Sequence, residues 1–292
     1  MPLFRRAAVI GIGLIGSSLA RAMRRGRLVA HIAGSDRSAR VRDAARDLGF
    51  LDSVHADPID AVAGADLVVL CTPVGALAEL GAAIGPHLAP GAVLSDVGSV
   101  KQAVIRDLGP HVPEGVHFVP AHPVAGTEHS GPEAGFAELF DGRWCILTPP
   151  PGTDPEAVAK VAALWRGCGS QIEEMDAAHH DAVLAITSHL PHLIAYTIVN
   201  TVSDLEAHMK AEVVKFAASG FRDFTRVAAS DPIMWRDIFL TNREAVLEML
   251  GRLYEDIALL QKAIRFGDGE TLQRVFARAR QIRRSIVQAK QD

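Results

Sequence analysis

Three glycines and one aspartate carry the first chemical signal. Gly11, Gly13 and Gly16 follow the apolar run Ala7-Ala8-Val9-Ile10, and Asp36 closes a second apolar run twenty residues past Gly16. Each position has a physical use. Gly11 permits a tight turn, Gly13 lets backbone approach a bulky anion, and Gly16 lets the next helix lie close to the strand. A helix opening at Leu14 and Ile15 offers unpaired N–H groups and the positive end of its dipole. That is a cradle for the pyrophosphate of a dinucleotide, with Asp36 accepting hydrogen bonds from a ribose diol. Asp36 repels a 2′-phosphate and so favours NAD, while Arg37 beside it can pair with such a phosphate and leaves NADP possible. The competing reading of Arg5-Arg6 and the following apolar stretch as a secretory leader fits poorly, because three glycines weaken an apolar helix.

Three further segments follow apolar runs. Cys71-Thr72-Pro73-Val74 lies where such a fold passes the nucleotide, which makes Thr72 and Pro73 cofactor contacts. Ser95-Asp96-Val97-Gly98-Ser99-Val100-Lys101 comes next, then Pro120-Ala121-His122-Pro123-Val124-Ala125-Gly126-Thr127-Glu128. Of these, His122 is the acid–base candidate, since an imidazole titrates near neutral pH. Further along stand Ser188-His189-Leu190-Pro191-His192 and Gly220-Phe221-Arg222-Asp223-Phe224-Thr225-Arg226, then Ser230-Asp231-Pro232-Ile233-Met234-Trp235-Arg236-Asp237. His189 and His192 make a poor metal pair, because Pro191 interrupts the helical spacing and no thiol or carboxylate joins them, so no metal is expected. An arginine beside aromatic residues suits a carboxylate substrate. Arg226 and Arg236 both fit that description and both fit ordinary ion pairs, with Asp223 placed to hold an arginine.

The glycine turn, Asp96-Val-Gly-Ser-Val-Lys101, His122-Pro-Val-Ala-Gly-Thr-Glu-His-Ser-Gly131, Ser188-His-Leu-Pro-His192, Asp223-Phe-Thr-Arg226 and Ser230-Asp-Pro-Ile-Met-Trp-Arg-Asp237 resemble the prephenate/arogenate dehydrogenase family of tyrosine biosynthesis. The likeness runs through the whole chain in order. The 219–226 stretch looks most like the cyclohexadienyl subgroup, which takes either acid, although Ala217-Ala218-Ser219-Gly220 replaces a glycine-richer lining. The resemblance implies oxidative decarboxylation. His122 takes the proton of a C4 hydroxyl as hydride leaves C4 for the nicotinamide, Ser99 orients His122 and that hydroxyl, Arg226 binds a carboxylate, and Thr127 and His189 line the substrate pocket. One alternative is a β-hydroxyacid-type dehydrogenase, whose lysine base has only Lys210 and Lys215 to match it before the C-terminal helices. Another is a nucleotide-sensing module without chemistry.

These residues need a scaffold, and the hydropathy pattern supplies one. Apolar runs at 8–10, 30–35, 67–71, 93–97, 117–121, 144–148 and 171–175 read as strands, with helical patterns at 38–48, 74–87 and 155–168 between them. The alternation implies a Rossmann-type doubly wound parallel sheet over 1–175. From 176 to 292 the pattern is all-helical: 177–188, 191–202, 205–218, 232–241, 242–266 and 269–290, with Gly267-Asp268-Gly269 as a break. The wide apolar face of 242–266 suits a bundle core or a subunit interface, so a substrate-binding and dimerisation domain and a homodimer are expected. The 292 residues carry 49% hydrophobic residues and a formal net charge of −4, which gives no reason to expect nucleic acid or an anionic membrane as partner. No run of membrane-spanning length free of charge and glycine is expected. Three cysteines without CxxC spacing suit a reducing compartment, so a cytoplasmic setting is expected.

Overall fold

The computed structural model describes residues 1–203 and 219–288. The expected helix at 205–218, with Lys210, Lys215, Ala217 and Ala218, lies outside the described residues, as does the end of the last helix. Contacts divide the chain into two units, Met1–Arg243 and Glu244–Asp292.

In the first unit, strands β1 (Phe4–Ile10), β2 (Val29–Ser35), β3 (Ser53–His55), β4 (Leu67–Leu70), β5 (Val93–Asp96) and β6 (His117–Phe118) form a parallel sheet of order β3-β2-β1-β4-β5-β6. Helices α1 (Leu14–Arg25), α2 (Ala39–Leu48), α3 (Pro58–Val62), α4 (Leu77–Ile84) and α5 (Lys101–Leu108) connect them. Both sheet faces are covered, and this is why the strands read as unbroken apolar runs. Val9, Leu67 and Val69 pack on one side with Leu19, Met23 and Trp165, while Ala8, Ile10, Val68 and Leu70 pack on the other with Leu77, Val104 and Leu108.

The run at 117–121 does not form one strand. It breaks at Val119-Pro120, and the continuation β7 (Ala121–Pro123) joins β8 (Trp144–Leu147) and β9 (Gln171–Glu174) in a separate three-stranded sheet. There β7 is antiparallel to β8, so the strand system is not wholly parallel. Pro120 and Pro123 lack the N–H groups that a parallel neighbour would use. Helix α6 (Pro155–Gly167) sits between β8 and β9 in sequence.

Helix α7 (Ala177–Leu184) continues through a wider π turn (Ala185–His189) into α8 (Leu190–Ser203). The cause is Pro191, which has no N–H to return to the preceding turn. By length and composition Ala177–Val202 would suffice to cross a membrane, with mean hydropathy 1.5, contrary to the sequence expectation. Its polar residues His180, Asp181 and His189 are buried and hydrogen-bonded inside the unit. Helices α9 (Ser219–Thr225) and α10 (Pro232–Thr241) complete the unit, and α10 sends Trp235 and Ile238 into the second face's core.

The second unit consists of α11 (Arg243–Phe266), from Glu244 onward, and α12 (Gly269–Gln288). Within this chain α11 exposes large apolar side chains: Tyr254 is 73% exposed, Phe266 74% and Ile264 67%.

Candidate active site

The glycine turn separates into three geometries. Gly11 has φ +95°, and a side chain there would press on the Cys71 carbonyl. A Cβ on Gly16 would collide with the Gly11 carbonyl oxygen. At Gly13 a Cβ would meet nothing within 4 Å, so this backbone borders open space. Gly13 provides no side-chain cap, and the first intrahelical bond is Ser17 N to Gly13 O at 3.0 Å. The N–H groups of Leu14, Ile15 and Gly16 therefore have no intrahelical partner. Asp36 is held by the Ile12 N–H at 3.0 Å and the Ser38 N–H at 2.9 Å, which fixes its carboxylate beside the turn. Arg37 beside it is exposed. After β4, the Thr72 hydroxyl is buried without a partner among the described residues, and Pro73 opens a short 3₁₀ turn. An open anion-sized cradle, a fixed carboxylate and a waiting hydroxyl fit a dinucleotide.

His122 lies on β7, and two buried charges hold that strand. Lys101 and Asp96 are fully buried, with Nζ 2.5 Å from the carboxylate. Lys101 also donates to Ala121 O at 2.7 Å, and Asp96 accepts from Ala121 N at 3.2 Å and Gly98 N at 2.7 Å. The ion pair thus replaces the sheet partner that Ala121 lost at the break. Burial pulls the Lys101 pKa down, opposed by Asp96.

Behind His122 runs a relay. His122 Nδ1 lies 2.8 Å from His180 Nε2, and His180 Nδ1 lies 2.8 Å from Asp181 Oδ1. Asp181 also accepts from the N–H groups of Lys101 at 2.7 Å and Gln102 at 3.0 Å. It caps α5, whose own N-cap, Val100, offers no side-chain bond. The protons follow. The carboxylate only accepts, so His180 carries hydrogen on Nδ1. Burial lowers the pKa of both histidines, helped at His122 by the neighbouring rings and Lys101 and opposed at His180 by Asp181, so both are neutral. His180 Nε2 is then an acceptor, His122 Nδ1 donates to it, and His122 Nε2 keeps a free lone pair. The ring is poised as a base. Ser99, expected to orient it, is half-buried on the loop before α5; His180 holds the ring at Nδ1.

On the helical side His189 is fully buried, and burial drops its pKa to about 4. His192 donates from Nδ1 to Ser188 O at 2.9 Å and stacks on Trp235 at 3.7 Å. Arg226, expected to be free for a carboxylate, pairs with Glu128 at 2.6 Å, the two side chains being 57% and 28% exposed. Thr127 accepts from the His129 N–H at 3.2 Å. The structure therefore groups His122, His180, Asp181, Lys101 and Asp96 in one network. Sequence reasoning missed His180, Asp181 and Asn242, although His and Asp side by side in the apolar pattern of α7 were the available signal.

Known proteins resemble this chain over nearly its whole length. The chain matches the family profile described as prephenate dehydrogenase, nucleotide-binding domain, over residues 19–174, and the profile described as prephenate dehydrogenase, dimerization domain, over 176–278. It is 44% identical over 286 residues to a cyclohexadienyl dehydrogenase from Zymomonas mobilis, covering 98% of this chain and 97% of that one. A crystal structure of prephenate dehydrogenase from Aquifex aeolicus, in complex with hydroxyphenyl propionate and NAD+, aligns with TM-score 0.87 at 33% identity, covering 97% of this chain and 98% of that one. The crystal structure of Synechocystis arogenate dehydrogenase aligns with TM-score 0.79 at 28% identity, over 96% and 99%.

Proposed function

The chain belongs to the prephenate dehydrogenase family, and we propose that it oxidatively decarboxylates prephenate and/or L-arogenate to 4-hydroxyphenylpyruvate and/or L-tyrosine. The observation that carries this reading is the buried chain from His122 Nδ1 through His180 to Asp181, which leaves Nε2 of His122 as the acceptor. NAD, when bound, accepts the hydride from the substrate's C4. Gly11, Gly13, Leu14, Ile15 and Gly16 hold its pyrophosphate, Asp36 with neighbouring Arg37 its ribose, and Thr72 and Pro73 the wall beyond. His122 Nε2 accepts the proton of the C4 hydroxyl, so the C4–O bond gains carbonyl character as the C4–H pair departs. The bond to the ring carboxylate then breaks, carbon dioxide leaves, and aromatisation makes the step irreversible.

Arg226 binds a substrate carboxylate, which must displace Glu128 from it. Thr127 and His189 line the same pocket, and Ser99 meets the substrate hydroxyl beside His122. The functional division falls near residue 175, with nucleotide binding in 1–175 and substrate binding and dimerisation in 176–292; the two matched profiles meet there. The exposed apolar side chains of α11 support a homodimer. The setting is the cytoplasm, which three unpaired thiols suit. A β-hydroxyacid dehydrogenase and a non-catalytic sensor are disfavoured, since the family match spans both parts of the chain and the histidine relay is intact.

The test is NADH formation by the purified chain with each acid and each nucleotide. Turnover of either acid supports the reading, and no turnover of both overturns it. Asp36→Ser is expected to improve NADP use relative to NAD by about tenfold, the ratio of kcat/KM values being the measurement.

A further inference from the structure

One amide joins the two buried histidine systems. Asn242 is itself buried, and its Nδ2 lies 2.9 Å from the main-chain oxygen of Asp181 and 3.1 Å from His189 Nδ1. The carbonyl oxygen only accepts, so the amide atom facing it is the NH2 group. Its second hydrogen then points at His189 Nδ1, which must be an acceptor. A neutral ring with a bare Nδ1 carries its proton on Nε2. That Nε2 is buried and has no hydrogen-bond partner among the described residues. His189 is the last residue of the π turn. His189 also stands edge-on to Trp235, at 6.1 Å between ring centroids, beside the stacked His192.

We infer that Asn242 is a positioning residue that locks His189 in the Nε2–H tautomer, and that this N–H is reserved for an acceptor oxygen brought in by a ligand. A buried donor with no partner is costly, and a ligand oxygen removes the cost on binding. The acceptor is a carboxylate or carbonyl oxygen. Two ligands of the proposed reaction offer one: the cyclohexadienyl acid and the carboxamide of the nicotinamide ring. The inference rests on the dehydrogenase reading for its ligand, and not for the tautomer.

The experiment uses the full chain labelled with ¹⁵N. Long-range ¹H–¹⁵N spectra of the imidazoles, assigned with His189→Gln, report which nitrogen carries the proton. In the wild type His189 is expected as Nε2–H. Asn242→Asp, measured at a pH where the new carboxyl is ionised, replaces the donor facing the ring by an oxygen that only accepts, and is expected to move the proton to Nδ1. Losing the donor should raise either the KM of the acid or the Kd of NADH by at least about tenfold. A change confined to KM identifies the acid as the acceptor, and a change in the NADH Kd identifies the carboxamide. Should Asn242→Asp not fold, His189→Gln keeps an amide N–H and is expected to retain binding, while His189→Leu loses it. A wild-type ring protonated on Nδ1 overturns the inference. So does a tautomer switch that changes neither constant beyond twofold, or full binding by His189→Leu. If neither acid turns over in any form of the protein, the dehydrogenase reading falls by itself; the spectra and the NADH Kd still decide the tautomer and its ligand.

Discussion

Two charged pairs of the first unit behave differently. Asp96 and Lys101 are fully buried and tied to the backbone of the strand that carries His122, while Glu128 and Arg226 meet at the rim, one more than half exposed. A dry pair costs much to break and fixes geometry; a wet pair is weak, screened and easily exchanged. The interior of this site therefore sets where the base is and how it is protonated. The rim sets what is admitted. The relay follows the interior pattern: His122, His180 and Asp181 are each buried, His180 and Asp181 spend both polar groups on fixed partners, and His122 spends Nδ1 and keeps Nε2 open.

The sharpest way to break that contrast is at the base itself. His122→Asn removes the lone pair while leaving a small polar side chain beside His180. The expected loss is about two to four decades in kcat, with NADH binding unchanged, read by steady-state kinetics and fluorescence titration. Full activity would show that the proton leaves by another route.

The buried pair comes next. Asp96→Asn leaves Lys101 without a counter-charge in the dry interior, at a cost of about 3–5 kcal/mol in urea unfolding. Replacing both by Leu and Met is expected not to restore the wild-type value. Ala121 would then lose the partners of its N–H and its carbonyl, which the pair now supplies. Full recovery by the double variant would make the pair a charge problem alone and not a brace for the strand.

Protonation gives a third measurement. His189 in the folded chain has a pKa of about 4, against about 6.5 for a free histidine. Between those values the unfolded chain binds the proton and the folded one does not, so unfolding gains as pH falls. This contribution to stability is complete above pH about 6.5 and is lost progressively toward pH about 4, by about 3 kcal/mol at most. His122 and His180 add in the same direction, since their pKa values are lowered too. Urea midpoints from pH 7.5 to 4.5 are expected to fall, and less steeply in His189→Gln. Midpoints flat with pH would mean these rings charge freely in the native state.

How far the sequence revealed this design varies by residue. The cradle was legible because it is local: three glycines, a helix start and Asp36 lie within one βαβ unit. The two-faced sheet was legible because strands covered on both sides leave an unbroken apolar signature. The split at Val119-Pro120 was hidden, since two short strands in different sheets abut in sequence and read as one run. Strand β3 and helices α3 and α5 were too short to register as periodic. The relay was hidden for another reason. His180 is 58 residues from His122, and Asp181 caps a helix 80 residues before it. Spacing along the chain carries no trace of such pairings, which depend on where α7 docks. The one clue was energetic: adjacent histidine and aspartate in an otherwise apolar helix need partners, because burial without them is costly.

The smallest effect is expected at the rim, and it tests whether the outer pair is a latch or a brace. In the structure Glu128 occupies the guanidinium that the proposed substrate carboxylate needs. If the pair only competes, Glu128→Gln frees Arg226 and lowers the KM of the acid by about twofold to fivefold, with kcat unchanged and the difference fading at high salt. If Glu128 instead holds Arg226 in its binding position, the same substitution raises KM. A fixed planar cation is worth more to a carboxylate than a free-swinging one, so the two effects oppose each other. The exposure of Arg226 favours competition, because a side chain in water gains little orientation from a single partner. A raised KM would extend the fixed interior pattern to the rim, and the contrast between the two pairs would dissolve.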